Sequence, residues 1–328
     1  MANTILVVGD AEDGALVPIT GEMLGGARRL AEGSGASVSC VLMGSGVESV
    51  APAAVALGAD EVLVVDDAAL AEYNSDVYLQ AMLKVAEQAS PSIILFGQTN
   101  LGRDLAPRLA FRLGTGVVMD TIELAMEGDR MEATRPCYGG SARAVNVVQS
   151  DPQIATVRAK SQDALEPDES RQGQTSKVDA GIDTGAVRIK VTERKGLTAE
   201  GIQLEDADVV VSAGRGMGGE ENFDVIEEFA GVLGAAVGAS RAVCDLGWRP
   251  VSDQVGLTGK VVSPTLYFAI AISGASQHMA GCSGAKNIVA INKDADANIF
   301  KSARFGIVED YAKVMKPLIE AAKSEKAT

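Results

Sequence analysis

Residues Asp208–Val237 read DVVVSAGRGMGGEENFDVIEEFAGVLGAAV. A β-branched run, Asp208–Ser212, leads into a glycine cluster. Apolar residues then recur at helical spacing: Phe223, Ile226, Phe229, Ala230, Leu233, Ala236 and Val237. Strand, glycine turn and helix together predict the opening unit of a doubly wound α/β domain. Gly214, Gly216 and Gly219 satisfy G-x-G-x-x-G in that context, and Arg215 adds a positive charge. Such glycines let a backbone approach phosphates closely. A tight βα turn needing positive φ would use the same residues, and both readings stand at this point.

Downstream, a nicotinamide-binding fold would supply a strand ending in an acid for the ribose. Asp245 is at a tolerable distance, but Gly238–Val243 is poor strand material. Further strands are predicted at Val261–Ser263, interrupted by Pro264, and at Leu266–Ile272 and Asn287–Ile291. Ser302–Val308 leads to a last helix with Asp310 as its N-cap and Tyr311, Val314, Met315, Leu318 and Ile319 as its apolar face. Between two of these strands lies ISGASQHMAGCSGAKNIVAIN (272–292), which holds His278, the only histidine of the chain. Small residues and one imidazole make a poor core and a plausible ligand mouth. A lone histidine there is also what a satisfied core imidazole looks like.

The N-terminal half alternates. Strands are predicted at Thr4–Val8, Ser37–Leu42, Glu61–Val65 and Ser92–Phe96, with helices around Leu16–Ala31, Val47–Leu57 and Asp76–Gln88. That order predicts a parallel or mixed nucleotide-binding-like sheet with helices on both faces. Its first loop carries Asp10, Glu12 and Asp13, which would repel a diphosphate, so this unit is not expected to be the site. In GRDLAPRLA (102–110), Pro107 suits a first helical turn. Arg103, Asp104 and Arg108 suit a salt-bridged helix start, or else a subunit or substrate contact. Alternating residues between Gly116 and Val157 predict an antiparallel or mixed extension of the same sheet. Ser161–Gly185 reads as loop or linker, Ala186–Val191 as a short strand, and Lys195–Asp206 as the domain connection. The expected domains are therefore 1–194 and 195–328.

With 328 residues, two domains are the prior. A net charge of −15 argues against nucleic acid and anionic membranes as partners. No apolar run approaches the ~18 residues of a membrane span. The start, MANTILVVGD, has no basic leader and suggests a cytoplasmic chain of bacterial or archaeal type. Cys40, Cys137, Cys244 and Cys282 lie far apart with no CxxC and read as reduced thiols, with neither disulfides nor zinc.

The polar groups of the C-terminal half collect at predicted strand ends: Arg215, Ser240, Arg241, Thr258, Ser273, Gln277, His278, Asn292 and Asp310. Donors dominate, which suits an anionic, hydrogen-bond-rich ligand. There is no Walker lysine, no nucleophile elbow and no second histidine for a metal pair.

GRGMGGEENF, VGASRAVCD, QVGLTGKVVSPTLYFAIAISGASQHMAG, IVAINKD and IFKSARFGIVED occur in this order. On these motifs the chain resembles the α subunit of electron-transfer flavoproteins, the FixB-like family, most closely over about 205–328. The resemblance implies a C-terminal FAD-binding domain, a heterodimer with a β subunit, and no catalysis of the chain's own. It implies electrons taken from dehydrogenases such as acyl-CoA dehydrogenases, in fatty acid oxidation, and passed to a quinone oxidoreductase or other acceptor. A bifurcating member would oxidise NADH with a second FAD in the β subunit.

Carried over by position, the resemblance places Arg215, Ser240, Ser273 and the turn Gly274, Ala275, Ser276 and Gln277 on the pyrophosphate and ribityl parts. It places Asn292, Asp310 and Tyr311 at the adenosine end. Arg241, the turn Val255, Gly256, Leu257 and Thr258, and His278 would border the isoalloxazine. Thr258 would lie near N5, and His278 at N1–C2=O2. Reduction puts negative charge along that edge, so a donor or cation there raises the potential. Leu257 departs from the glutamine usual in the family, which bears on the tuning of the potential. Met279 and Cys282 are packing residues, and Cys244 has no assigned role. The reading from a different class is an NAD(P)-dependent oxidoreductase with a Rossmann turn at Gly214–Gly219. A third, a nucleotide sensor built on the first domain, is opposed by the Asp10–Asp13 carboxylates.

Overall fold

A computed structural model describes residues 4–32, 34–192 and 202–326. The chain divides into two compact units, Met1–Pro136 with Arg143–Lys195, and Cys137–Ala142 with Gly196–Thr328. The expected boundary at 194/195 and most of the expected connection lie outside the described residues.

The first unit is built on a seven-stranded sheet. Its order is Gln174–Lys177, Glu61–Asp66, Ser37–Gly44, Thr4–Gly9, Ile93–Gly97, Gln153–Val157 and Val117–Thr121. Every neighbouring pair is parallel. The strand Thr4–Gly9 is buried along its whole length. Ile5 and Val7 point into one apolar core, Leu6 and Val8 into the other, as the two-residue period of a strand covered on both faces requires.

Several expectations for this unit are corrected. Gln153–Val157 does not extend the sheet in antiparallel fashion; being buried throughout, it sits inside it as a parallel strand. The alternating segments Glu123–Glu127, Arg130–Cys137 and Ala142–Val147 form a separate three-stranded sheet. Pro107 lies well inside the helix Asn100–Leu113, not in its first turn; Thr99 caps that helix by accepting from the Gly102 N–H. Within Ser161–Gly185, Gln174–Lys177 adds a parallel edge strand beside Glu61–Asp66. Ala186–Val191 forms no strand.

The salt-bridged reading of the helix holds in part: Arg108 pairs with Asp76 at 2.5 Å, and Tyr73 donates to Asp104 at 2.8 Å.

The second unit carries a five-stranded sheet in the order Ala236–Ala239, Val209–Ala213, Leu266–Ile270, Asn287–Asn292, Phe305–Val308. All four pairings are parallel. Numbered within this unit, the order is 2-1-3-4-5. Tyr267 and Ala269 face one core with Met279 and Cys282; Phe268 and Ile270 face the other with Phe229 and Met315.

Three expectations change here. The helix ends at Leu233, because Gly234 takes a left-handed conformation (φ 67°) and caps it. Ala236 and Val237 therefore belong to a strand, and the supposedly poor segment Gly238–Ala239 completes it. Small residues suit that position: Ser212 and Val255 already approach the place of a Gly238 Cβ at 3.1 Å. Val261–Ser263 is not a strand. The last helix, Tyr311–Lys326, packs its expected apolar face against the core.

Candidate functional site

The strand order reverses between Val209–Ala213 and Leu266–Ile270, since the chain runs outward from them in opposite directions. In open parallel sheets ligands bind outside the carboxyl ends at such a switch point. A cleft of about 690 Å³ opens there. Its walls are the segments leaving four strands: Gly214–Gly216, Ser240–Ala242, Ala271–Ala275 and Asn292–Ala297, with the 254–258 turn and Gln277–His278 closing the side.

Packing explains the glycine turn first. A Cβ on Gly214 would overlap the Ala271 carbonyl, and one on Gly216 would lie 3.0 Å from the Ala271 Cβ. Ala271 itself adopts φ +54°, which costs a non-glycine residue about 1–2 kcal/mol. Two strand-end loops thus cross at van der Waals contact, and the glycines let them do so. A short 3₁₀ turn, Glu220–Asn222, stands between Gly219 and the helix Asp224–Leu233. The helix N-terminus is therefore not presented by the third glycine as a dinucleotide fingerprint requires. The Rossmann-turn alternative loses its main support.

The opposite wall is the helix Ser276–Cys282, held against the 254–260 turn by Leu257 N–H donating to the Gln277 carbonyl at 2.7 Å and Val262 N–H donating to that of Gly281 at 2.7 Å. Gln254, buried, donates from Nε2 to Thr258 Oγ1 at 3.0 Å and so orients the hydroxyl.

The cleft brings together most of the expected residues: Arg215, Ser240, Arg241, Val255, Gly256, Leu257, Thr258, Ser273, Ala275, Gln277, His278 and Asn292. Gly274, in the loop before the helix, and Ser276, its first residue, do not line the cleft. Asp310 and Tyr311 stand outside. Asp310 Oδ1 accepts from the Ala312 N–H at 3.0 Å, capping the last helix as expected, and Tyr311 donates to the Met217 carbonyl at 2.8 Å, tying that helix to the glycine turn. Asn292 reaches the cleft with its amide engaged: Nδ2 donates to the Ile272 carbonyl and Oδ1 accepts from the Asp294 N–H, both at 2.9 Å. Arg241 pairs with Asp245 at 3.3 Å.

Sequence reading missed Gln254, Ala271 and Asp294, which also line the cleft. Gln254 carried a signal, a glutamine beside an apolar turn. Ala271 carried none, since its role lies in a backbone conformation.

His278 is 7% exposed, and burial pushes its imidazole down to about 4. The ring is neutral at pH 7, so of the two expected roles it fits the donor and not the cation. Nε2 lies 2.9 Å from the Tyr267 hydroxyl. Nδ1 is buried and has no hydrogen-bond partner, and the Val255 backbone near the ring works only partly against the effect of burial. An orphaned buried polar atom calls for an explanation, and a ligand in the adjoining cleft is one. Donors, two arginines and an unpartnered imidazole nitrogen around a cleft of this size fit a flavin nucleotide.

Switch point, cleft and donors define a nucleotide-cofactor-binding α/β domain. Residues 5–183 match the electron transfer flavoprotein domain, and residues 203–283 match the electron transfer flavoprotein FAD-binding domain. The chain is 43% identical over 324 residues to an electron transfer flavoprotein subunit alpha of Thermoanaerobacterium thermosaccharolyticum, covering 98% of both chains. It is 42% identical over 324 residues to the Bacillus subtilis protein of the same name, again over 98% of each. Protein FixB of Clostridium saccharobutylicum is 38% identical over 97% of this chain and 96% of its own. The chain belongs to the electron transfer flavoprotein α-subunit family; its cofactor is FAD and its work is electron transfer. No helix among the described residues is long and apolar enough to cross a membrane.

Proposed function

We propose that this chain is the FAD-carrying subunit of a heterodimer completed by an electron transfer flavoprotein β subunit. It accepts electrons from dehydrogenases, acyl-CoA dehydrogenases of fatty acid oxidation among them, and delivers them to a quinone oxidoreductase or another acceptor, in the cytoplasmic compartment. The observation that carries this reading is the donor-lined cleft at the switch point, with the unpartnered Nδ1 of His278 in its wall. FAD supplies one- and two-electron chemistry; the chain supplies binding, orientation and electrostatics.

Arg215, Ser240, Ser273 and the 274–277 turn hold the pyrophosphate and ribityl parts on this reading. Arg241, the 255–258 turn and His278 border the ring system, and Asn292 shapes the adenosine end. Asp310 and Tyr311 support that end through the start of the last helix. The two units correspond to a scaffold that meets the β subunit and an FAD domain.

The test is purification with the β subunit. A flavin absorbance that follows the chain, and reduction of that flavin by an acyl-CoA dehydrogenase with its substrate, are the expected results. One flavin per heterodimer fits a simple carrier. Two flavins with reduction by NADH would place the protein in the bifurcating class, and a colourless protein that binds NADH would overturn the reading.

A further inference from the structure

We infer that Tyr267 is the positioning residue for His278: its phenol donates to Nε2 and holds the imidazole in the Nδ1–H tautomer, a neutral donor in the cleft wall. The identity of the ligand that meets this donor rests on the FAD reading. The tautomer itself is a property of the chain.

Tyr267 is wholly buried in the central strand Leu266–Ile270, on the face that packs beneath the helix bearing His278. Its hydroxyl oxygen and Nε2 are 2.9 Å apart, a distance that admits a bond in either direction. Three observations choose between them. A phenol O–H is a better donor than an imidazole N–H, and an imidazole nitrogen is a better acceptor than a phenol oxygen, so O–H···N is the favoured sense. The Val255 backbone near the ring favours a proton on it, and with Nε2 facing Tyr267 the nitrogen left to carry that proton is Nδ1. The Cys282 thiol donates to the His278 carbonyl at 3.6 Å, so towards the same hydroxyl its sulfur only accepts, and a thiol sulfur is a weaker acceptor than an imidazole nitrogen. The competing arrangement has Tyr267 donating to Ser212 Oγ, which is buried without a partner, while accepting from Nε2–H. That arrangement pairs the weaker donor with the weaker acceptor.

Burial keeps the ring uncharged, so the tautomer alone decides whether the histidine gives or takes a hydrogen bond. A donor stabilises negative charge on a ligand edge; an acceptor opposes it. Tyr267 therefore sets the sign of the interaction without touching the ligand.

With one histidine in the chain, ¹⁵N-histidine labelling yields a single pair of ring signals. The full-length protein is measured with and without FAD, and flavin absorbance is read on the same samples. The expected spectrum shows Nδ1 protonated and Nε2 carrying a hydrogen-bonded lone pair, in roughly tenfold or greater excess over the other tautomer. Tyr267→Phe is expected to move Nε2 to a free-nitrogen position or to raise the Nε2–H population. An Nε2–H signal in the wild type overturns the inference, as does a Tyr267→Phe protein whose two nitrogens are unchanged. The wild-type spectrum decides the tautomer whether or not the variant folds. Loss of flavin with the tautomer intact counts against the FAD reading and leaves the role of Tyr267 standing.

Discussion

Gly281 and Gly256 touch backbone to backbone: a Cβ on Gly281 would overlap the nitrogen of Gly256, and Gly256 holds φ +149°. This contact fixes the helix carrying His278 against the turn carrying Thr258. Gly281→Ala is expected to destabilise the protein by about 1–3 kcal/mol through overpacking and to weaken FAD retention with it. Gly231→Ala, on an exposed helix position with nothing near its Cβ, is expected to stabilise by roughly 0.5–1 kcal/mol. Urea unfolding of both variants makes the comparison.

His278 links stability to pH. Its pKa falls from an ordinary 6.5 unfolded to about 4 folded, so the unfolded chain binds the proton first. The stability tied to the neutral ring is complete above about pH 6.5 and is lost as pH falls towards 4, in total on the order of a few kcal/mol. Against His278→Gln, the wild type should show the steeper loss of urea midpoint between pH 6.5 and 4. Parallel curves would mean that the ring is not desolvated as described.

Removing the donor should lower the flavin potential. A hydrogen bond to a charged edge contributes roughly 1.5–3 kcal/mol, and 59 mV is tenfold for one electron, so His278→Ala is expected to retain FAD and lose about 60–130 mV. Spectroelectrochemistry measures it; an unchanged potential would remove His278 from tuning.

Leu257 is 62% exposed in the cleft wall, yet its backbone N–H is tied to Gln277 whatever the side chain. Leu257→Gln is accordingly expected to change stability by less than about 0.5 kcal/mol and leave FAD affinity intact. Its effect should be confined to the potential. A large loss of FAD would show that the side chain, not the backbone, holds the turn.

Much of this was legible in one dimension. Periodicity located the strands Thr4–Gly9 and Leu266–Ile270, because unbroken apolar runs mark strands covered on both faces. It failed where tertiary packing decides. Ala236–Ala239 looks like a helix continuing past Gly234, yet the glycine ends the helix and small residues let the strand lie beside Ser212. Gln174–Lys177 is polar because it is an edge strand, which hides it among loop residues. At the site, the motifs named most of the cleft, including its one imidazole. They did not indicate that Gly214 is required by Ala271, or that burial makes His278 a neutral group held by Tyr267. Those facts depend on neighbours distant in sequence.

The central claim is that the flavin occupies the switch-point cleft against His278. The most direct measurement is titration of FAD into the cofactor-free, full-length protein with its β subunit, following the ¹⁵N signals of the sole histidine. Binding of one FAD in this cleft should shift Nδ1 strongly and Nε2 weakly, in step with the flavin absorbance. Flavin binding with no movement at Nδ1 would contradict the account.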